Sequence, residues 1–351
     1  MTYLVLKLLI RCKKNKGKGR VMIFKCKNCG GNIVYNPAKG TMCCPHCESL
    51  DSEDKLVSTE YMVSCSNCGA PMGDAIKEHT SATKCPNCGT YVVLDERVEG
   101  TYKPDLVLPF RVSKDKAIDL LRDEFKNRIF TPAGFLSRAS VEKIEGTYVP
   151  FFMYDYDTDT EYHATGTKVR TWRSGQYEYT ETSYYGIYRK MQADFDMVPV
   201  DASDVMEDGY MDLLEPFDYA GLENFEEKYM SGFLGEKYNQ PEQELAPRAV
   251  QKVNEAVDSL LQASVTGYAT VTQNSKTIDS RKKQVRYALL PVWEYIFHYQ
   301  GEDYKFHVNG QTGKIVGKTP VAKNKVVAYG ATVFGLVTIL AAMVRLVLSV
   351  I

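Results

Sequence analysis

The sequence has almost no net charge. Its 43 Lys and Arg residues against 44 Asp and Glu residues give a formal net charge of -1 at pH 7. Proteins that bind nucleic acid through its phosphates usually carry a basic excess, so the overall charge does not favour that class. Hydrophobic residues make up 44% of the chain and charged residues 25%, a composition that predicts a folded protein and argues against general disorder.

Signatures of enzymes are also missing. No nucleophile elbow, H-E-x-x-H helix or paired-acid motif accompanies the five histidines. A nucleotide-driven motor needs G-x-x-x-x-G-K-[ST] to hold phosphates and magnesium. The nearest string, GQTGKI at residues 310–315, has two residues between its glycines and no hydroxyl after its lysine. The sequence therefore predicts a protein that is not an enzyme and excludes a P-loop motor; an enzyme without a known motif stays open as an alternative.

Cysteine is absent from most of the chain. Cys12 stands alone, nine cysteines lie between Cys26 and Cys88, and none follows. Eight of the nine form C-x-x-C pairs, namely Cys26 with Cys29, Cys44 with Cys47, Cys65 with Cys68, and Cys85 with Cys88. Two such pairs about fifteen residues apart are typical of a four-cysteine structural zinc site. The pattern predicts two Zn²⁺ ions in a double zinc ribbon over residues 22–100.

Two residues near the second pair are predicted not to bind metal. Cys44 stands three residues before Cys47, so Cys43 does not fit the knuckle and is interpreted as a spare thiol. His46 lies inside the knuckle loop, where four cysteines already complete the site. Glycine follows the other three pairs, whereas Glu48 follows this one. A disulfide scaffold is the alternative, but it requires an oxidising compartment.

The end of the chain is a long apolar run. Residues 326–344 contain no charge, and LVLSVI follows Arg345. As a helix, residues 326–351 extend roughly 39 Å, more than the roughly 30 Å of bilayer hydrocarbon. Three lysines precede the run, and basic residues mark the cytoplasmic side of a membrane span. We predict a single-pass anchor in the cell membrane with the soluble part in the cytoplasm; a buried core helix is the alternative.

The first residues do not have the form of a signal peptide. Their charge follows the apolar stretch, and no small-residue cleavage site is present. Met22 directly precedes the strand that leads to the first knuckle. Residues 1–21 are therefore interpreted either as a misassigned start, with translation beginning at Met22, or as a disordered leader.

Residues 101–320 have the pattern of an α+β domain. Ser113 precedes a helical period in which Ala117, Leu121 and Phe125 share one face, which predicts a helix capped by Ser113. Residues 152–163 alternate aromatic with acidic side chains, which predicts a strand with one aromatic face and one solvated acidic face. The D-x-D-x-D spacing in that strand resembles a calcium loop, but Thr160 stands where the loop needs glycine.

The same region contains a weak internal repeat. YVPFFMYDY at residues 148–156 matches LLPVWEYIF at residues 289–297 in its order of apolar, proline and aromatic positions. Proline cannot donate to a β-ladder, so Pro150 and Pro291 are predicted at strand starts or edges. A helical pattern covers residues 247–263, and Asn309-Gly310 with Thr312-Gly313 predicts a hairpin turn.

A basic and aromatic stretch supports nucleic-acid binding as the alternative function. Lys168, Arg170 and Arg173 surround Trp172 and precede several tyrosines. Such a strand face suits phosphates and bases, although a solvated sheet face is the more common meaning of the pattern. Residues 191–246 contain fifteen Asp or Glu against two Lys, which repels a polyanion.

The chain from Ile23 onward resembles a family of bacterial zinc-ribbon membrane proteins, common in clostridia and their relatives. Members are often labelled as transcription factor IIB type ribbons or as a replication-restart helicase, and the family's role is not established. The resemblance is carried by the doubled ribbon and by KPDLVLPFRVSKDKA, GTYVPFFMYD, RTWRSGQYEYTETSYY, EPFDY, LLPVWE and NGQTGKIVG. It implies zinc on the eight paired cysteines, followed by a membrane segment at residues 326–351.

Together these features predict an α+β protein with two small ribbons, a larger domain and a transmembrane helix. We expect it to act as a binding or adaptor module for a protein partner.

Overall fold

The computed structural model describes residues 20–57, 64–132, 134–137, 143–206 and 208–350. The predicted leader therefore lies outside the described residues except at its last two positions. The strands are β1 Val21–Cys26, β2 Val34–Asn36, β3 Thr41–Cys43, β4 Glu53–Val57, β5 Thr80–Lys84, β6 Tyr91–Leu94, β7 Leu106–Val107, β8 Glu145–Ser174, β9 Tyr177–Asp201, β10 Glu223–Asn224, β11 Leu234–Glu236, β12 Thr270–Tyr299, β13 Glu302–Asn309 and β14 Ile315–Gly317. The helices are α1 Lys114–Phe125, α2 Asp208–Leu214, α3 Glu242–Ser264 and α4 Lys323–Val350.

One large mixed sheet joins most of these strands, which confirms the α+β class. Its order is β10-β7-β12-β8-β11-β5-β6-β1-β4, with β9 on β8, β13 on β12, and β14 on β13. Strands β2 and β3 form a separate hairpin. The ribbon strands β1, β4, β5 and β6 are thus continuous with the central strands, and β11 is the junction between them.

The predicted repeat is confirmed as two equivalent units around a pseudo-two-fold axis. Long strands β8 and β12 pair antiparallel, with Val149 opposite Leu290. Just before its proline each long strand has a short parallel neighbour, β11 beside β8 and β7 beside β12. Just after its proline each gains its antiparallel hairpin partner, β9 or β13. Each unit therefore consists of a short strand, a helix, a long strand and a return strand, and its short strand pairs with the other unit's long strand.

Equivalent side chains repeat the same contacts in the two units. Asp201 and Asn309 end the return strands, are buried, and accept hydrogen bonds from the backbone N–H two residues later at 3.1 and 2.9 Å. Tyr154 and Tyr295 are fully buried, and each hydroxyl donates to a backbone carbonyl outside the strand. Matching polar contacts in matching places show that the weak sequence echo marks a real structural repeat.

The prediction that the two prolines lie at strand starts or edges is wrong. Pro150 and Pro291 lie inside the 30-residue strands β8 and β12, near the centre of the sheet. Each stands between the last pair with the short parallel strand and the first pair with the hairpin partner. A missing N–H is tolerated at such a change of neighbour, because the ladder on that side is interrupted there.

Helices α1 and α3 cover one face of the sheet. The hydroxyl of Ser113 accepts a hydrogen bond from the N–H of Lys116 at 3.3 Å, so the predicted cap is confirmed. Helix α3 begins at Glu242, five residues before the predicted boundary, and buries the side chains of Leu245, Ala249, Val253, Val257 and Leu261. Between the helices the core is aromatic, with the rings of Phe110 and Phe233 stacked 4.0 Å apart.

Strands β8, β9 and β12 extend from the body as an arm, which comprises residues 151–201 and 270–288. A 30-residue strand reaches roughly 100 Å at about 3.3 Å per residue. Helix α3 packs along the arm, over the buried Tyr162, Ala164 and Ile187. Strand β12 begins at Thr270, opposite Thr167. Beyond that point only β8 and β9 continue, and we call residues 168–183 the arm tip.

The acidic face of β8 is only partly the solvated surface that the alternation predicted, since Glu161 is exposed and Asp157 and Asp159 are half-buried. The aromatic side chains at residues 152, 154, 156 and 162 are buried, as expected. On the other face, Asp155 is itself buried and accepts from Arg286 at 2.8 Å. Asp157 and Asp159 are paired with Lys283 and Arg281 of β12. Basic residues of the neighbouring strand, which the local pattern cannot reveal, neutralise the acids.

Candidate metal centres

Each C-x-x-C pair is held by the same two backbone hydrogen bonds. The N–H of the first cysteine donates to the carbonyl five residues later, and its carbonyl accepts from the N–H four residues later. At Cys26 these bonds measure 2.8 and 2.8 Å, and at Cys44 they measure 3.0 and 2.9 Å. The resulting tight turn directs both sulfurs of a pair to the same side.

The residue directly after the second cysteine of each knuckle adopts positive φ. The values are 71° at Gly30, 72° at Gly69 and 71° at Gly89, a conformation that glycine adopts without steric cost. Glu48 takes the same conformation with φ of 59°. Glu48, which stands where the other knuckles have glycine, is thus a non-glycine residue with a strained backbone in an otherwise identical turn.

The eight predicted ligands form two groups of four. Within each group the sulfurs lie within 4.8 Å of one another. The sulfur separations are 3.6 Å for Cys26 and Cys47, 3.5 Å for Cys29 and Cys44, 3.7 Å for Cys65 and Cys88, and 3.8 Å for Cys68 and Cys85. A tetrahedral zinc ion with bonds of about 2.3 Å needs sulfurs about 3.8 Å apart. The geometry and the donor set therefore fit two four-cysteine metal ions.

Hydroxyl groups surround the first site. Ser49 Oγ lies 2.9 Å from the sulfur of Cys47 and 3.1 Å from that of Cys26, and Ser52 Oγ lies 3.3 Å from Cys26. Hydrogen bonds from these two serines lower the pKa of Cys26 to about 5. A hydroxyl that donates to a thiolate stabilises the charged form, which is the form that binds metal.

Amide groups surround the second site instead. The side-chain amides of Asn67 and Asn87 donate to Cys88 and Cys68, both at 3.5 Å. The hydroxyl of Thr90 lies 3.2 Å from the sulfur of Cys88. Burial works against ionisation of Cys88, but the bonds from Thr90 and Asn67 outweigh it and lower its pKa to about 6. In each site two thiols therefore have a lowered pKa, Cys26 and Cys47 in the first and Cys68 and Cys88 in the second. The neighbouring thiols raise the pKa of Cys29, and burial raises that of Cys65.

Side chains of the first ribbon reach the second metal centre. Lys25 Nζ donates to Asn67 at 2.6 Å, and the amide of Asn32 donates to Thr90 at 2.7 Å. Strand β1 also pairs with β6, which places Met22 opposite Val93. The two ribbons therefore share both a sheet and a hydrogen-bond network around the second site.

The structure places Cys43 and His46 outside the first four-sulfur group. Cys43 is buried in β3 outside the four-sulfur group, and Lys39 Nζ donates to its sulfur at 3.6 Å. His46 is exposed and is not part of the group. Its ring lies against Gly31, where an added Cβ would come within 2.6 Å of it.

Helix α4 is the predicted anchor, and it begins at Lys323, slightly earlier than expected. Residues 323–346 are long and apolar enough to cross a membrane, with mean hydropathy 2.1, and the described residues bury none of them. The absence of burial by the described residues argues against the alternative of a core helix. At its base, Lys325 Nζ donates to the carbonyl of Thr131 at 2.8 Å, and the rings of Phe130 and Tyr329 are 5.4 Å apart.

The three basic residues proposed for nucleic acid lie on the arm tip, on two different faces. Lys168 and Arg170 share a face with Trp172, since residues two apart on a strand point the same way. Lys168 Nζ stands 5.3 Å from the ring centroid of Tyr185, and Arg170 stands 5.7 Å from that of Trp172. Arg173 points to the opposite face and pairs with Glu178 at 3.2 Å.

The histidines do not form a site with one another. His298 pairs with Asp303 at 2.5 Å on the exposed β12–β13 hairpin, and His163 packs on Tyr188. His307 is buried beside Tyr210, where burial lowers its pKa to about 4. Among the described residues, the groups able to hold a metal are the two cysteine clusters.

Sequence reasoning missed the residues that support the sulfurs. Ser49 and Thr90 occupy the same place in the two ribbons, two residues after the last cysteine. A hydroxyl at the same offset in both ribbons was a detectable signal. Asn67 and Asn87 stand inside their knuckles, directly before the second cysteine, and give a second one.

Comparison with known proteins finds one informative relative. The chain is 34% identical over 329 residues to the uncharacterized protein YdjG of Bacillus subtilis, an alignment that covers 90% of this chain and 95% of that protein. No protein-family model matches the sequence, and no solved structure matches it.

Proposed function

The chain belongs to the family of Bacillus subtilis YdjG, which is itself uncharacterized, and we propose that it is a membrane-anchored zinc protein that serves as a non-catalytic adaptor in the cytoplasm. The observation that carries the proposal is the combination of two four-sulfur clusters with an uncovered apolar helix and a long arm. These parts bind metal, attach to a membrane and extend into solution.

The two clusters would hold structural Zn²⁺. Four thiolates leave no open position for a substrate or an attacking water, so the metal's contribution is folding energy. In that role the ribbons fix β1 and β6, and through β5 and β11 they extend the central sheet. The adaptor would therefore need its zinc to present a stable surface.

The apolar helix would insert in the cell membrane. Lys318, Lys323 and Lys325 at its base favour an orientation with the soluble part in the cytoplasm. A cytoplasmic location also suits the zinc sites, because reducing conditions keep thiols free of disulfides. Deletion of residues 326–351 is expected to move the protein from the membrane fraction to the soluble fraction. Continued membrane attachment of that variant would contradict the anchor.

The partner would be a protein. Aromatic side chains and arginine dominate protein interfaces, and the arm tip exposes Trp172, Tyr177 and Tyr179 close to Arg170. Crosslinked pull-down from native membranes, with the full chain and with a Trp172→Ala, Tyr179→Ala variant, identifies the partner. A partner lost with the variant supports the adaptor function. Recovery of the same proteins with both chains would contradict a role for the tip.

Nucleic-acid binding is the second candidate, favoured by the position of Lys168 and Arg170 on one face with Trp172. A gel-shift titration with single-stranded DNA at physiological salt tests it. If the face binds phosphates, Lys168→Glu with Arg170→Glu abolishes binding, whereas Arg173→Glu on the opposite face has little effect. We expect weak binding by all three chains, because the acidic region around residues 191–246 repels a polyanion.

A further inference from the structure

The arm tip has a backbone edge that none of the described residues covers. Strand β12 pairs with β8 only as far as Thr270, opposite Thr167. Beyond it β8 pairs with β9 alone, up to the turn at residues 175–176. Residues 168–174 are all exposed. One side of this strand segment therefore faces solvent.

The direction in which the free backbone groups point follows from the last hydrogen bond that β8 makes with the segment leading into β12. The carbonyl of Thr167 accepts from the N–H of Ala269 at 2.7 Å, so Thr167 points its backbone groups toward the β12 side. Backbone groups alternate in direction along a strand. Val169, Thr171 and Arg173 therefore direct their N–H and C=O groups outward, whereas the residues between them bond to β9.

This edge lacks the usual protection against pairing. Edge strands are commonly interrupted by proline or by a bulge. Strand β12 has register shifts at residues 273–275 and 282–284 in its ladder with β8, and β9 is irregular where Met197 has φ of 58°. The segment KVRTWRS at 168–174 has neither proline nor a register shift. Its charges already have partners in the β8–β9 hairpin, at Tyr185, Trp172 and Glu178.

We propose that the β8 edge of the arm tip pairs antiparallel with the same edge of a second copy of this chain, in the register centred on Thr171. In this register, Arg170 lies opposite Trp172 of the second copy, and Lys168 lies opposite Ser174. Val169 lies opposite Arg173 on the other face. No like charges face each other, and the Arg–Trp pair is a favourable cross-strand contact.

Neighbouring registers are less favourable. A two-fold axis perpendicular to the sheet places the same face of both copies on the same side. Neighbouring registers therefore differ in which residue lies on the axis, and that residue shifts by one position at a time. Moving the centre to residue 170 sets Arg170 against Arg170 of the second copy, a like-charge pair. Moving it to residue 172 brings Lys168 level with the turn and shortens the ladder. The register at Thr171 uses all the outward groups of residues 169, 171 and 173.

The predicted contact is small. A seven-residue strand pair buries less than the roughly 1,600 Å² of a standard interface, so the dimer is weak in dilute solution. Chains that share a membrane meet at much higher effective concentration, which favours a weak contact. The experiment therefore uses the full chain in native membranes. The proposal does not depend on the adaptor function, because it concerns contact between identical chains, but it rests on the proposed membrane anchoring that concentrates them.

Site-directed cross-linking tests the register. Thr171→Cys is treated with a short bis-maleimide, and Thr180→Cys serves as the matched control, because Thr180 faces Thr171 across the hairpin but lies one strand farther from the axis. We expect a cross-linked dimer with Thr171→Cys and its loss with Thr180→Cys and with the unsubstituted chain. No dimer with either variant, or equal dimer with both, overturns the proposal.

Proline substitution provides a second test. Thr171→Pro removes an outward N–H without removing a bond inside the hairpin, and Thr180→Pro makes the same change on the outer edge of β9. Self-association is measured by energy transfer between two labelled copies in liposomes. We expect it to be lost only with Thr171→Pro. Association that survives this variant, or that requires added single-stranded DNA or another protein, overturns the proposal.

Discussion

The first ribbon, residues 21–57, and the second, residues 64–94, share a backbone turn but differ in the side chains around it. Serine hydroxyls hydrogen-bond with the sulfurs of the first site, whereas in the second site asparagine amides donate to the sulfurs and the Cys88 sulfur hydrogen-bonds with the Thr90 hydroxyl. Their attachments differ as well. Strand β5 of the second ribbon pairs with β11 of the central domain, and the first ribbon joins the sheet through β1 and β6. The metal ligands thus share only the geometry of the knuckle turn, while the side chains that hydrogen-bond to the sulfurs and the strands that attach each ribbon differ.

The largest expected effect is the loss of one ribbon. Cys44→Ser removes a ligand, and a structural zinc ion contributes on the order of 10 kcal/mol to folding. We expect zinc content to fall from two ions to one per chain and protease cleavage to appear in residues 21–57. Elemental analysis and limited proteolysis measure both. Cys43→Ser is the control and keeps two ions; iron in the unsubstituted protein would contradict the zinc assignment.

The supporting hydroxyls should affect one site only. Ser49→Ala removes the single hydroxyl that lies within hydrogen-bond distance of the sulfurs of both Cys26 and Cys47, and loss of such a partner typically lowers metal affinity about 10–100-fold. Chelator competition is expected to show one weakened ion and one unchanged ion. Asn87→Ala is the matched change at the second site. If either substitution weakens both ions equally, the two sites are not independently supported.

The junction between the second ribbon and the central sheet should depend on pH. Burial raises the pKa of Glu236 in β11 to about 7, while Ser203 donates to it at 2.6 Å. In the unfolded chain this carboxyl ionises at its ordinary pKa of 4.5, whereas in the folded protein it stays protonated up to about pH 7. Its burial therefore lowers the free energy of unfolding progressively between these two pH values and by a constant amount above them.

Glu236→Gln is therefore expected to raise the free energy of unfolding at pH 8 by on the order of 1 kcal/mol and to change it little at pH 4.5. Denaturant unfolding at the two pH values measures the difference. Glu255→Gln, on an exposed part of α3, is the control. A gain that is the same at both pH values would contradict the burial of a carboxyl as its cause.

The smallest expected effect concerns the one knuckle without glycine. Glu48→Gly relieves a left-handed conformation and should stabilise the first ribbon by about 0.5–1 kcal/mol. The reciprocal change, Gly69→Ala, should destabilise the second ribbon by a similar amount, because no atom lies within 4 Å of the added Cβ and only backbone strain remains. Thermal unfolding of the zinc-loaded protein compares the two. Equal shifts in the same direction would contradict the backbone explanation.

Local features of this protein could be predicted from sequence, because short-range geometry determines them. The knuckles, the Ser113 cap and the turn at Asn309 each depend on a few consecutive residues. The apolar length of α4 is equally local. The same holds for the exclusion of Cys43 and His46, which follows from spacing within one knuckle.

Features that depend on distant strands could not be predicted. The acids of β8 are neutralised by residues more than a hundred positions later, and nothing near Asp155 in the sequence indicates Arg286. The two prolines lie in the middle of the sheet because each neighbouring strand changes there. Lys168 and Arg170 share a face while Arg173 does not, a separation that the strand period implies once the strand is known.

The pseudo-two-fold axis through Val149 and Leu290 has an evolutionary meaning. Each short strand pairs with the long strand of the other unit, so neither unit completes its own sheet. Two separate copies of one such unit would exchange these strands and form the same sheet as a swapped homodimer. The present chain has the arrangement that duplication and fusion of that ancestor would leave. Within one fused chain the two halves can differ, and here the return strand of the first unit has 25 residues whereas that of the second has 8.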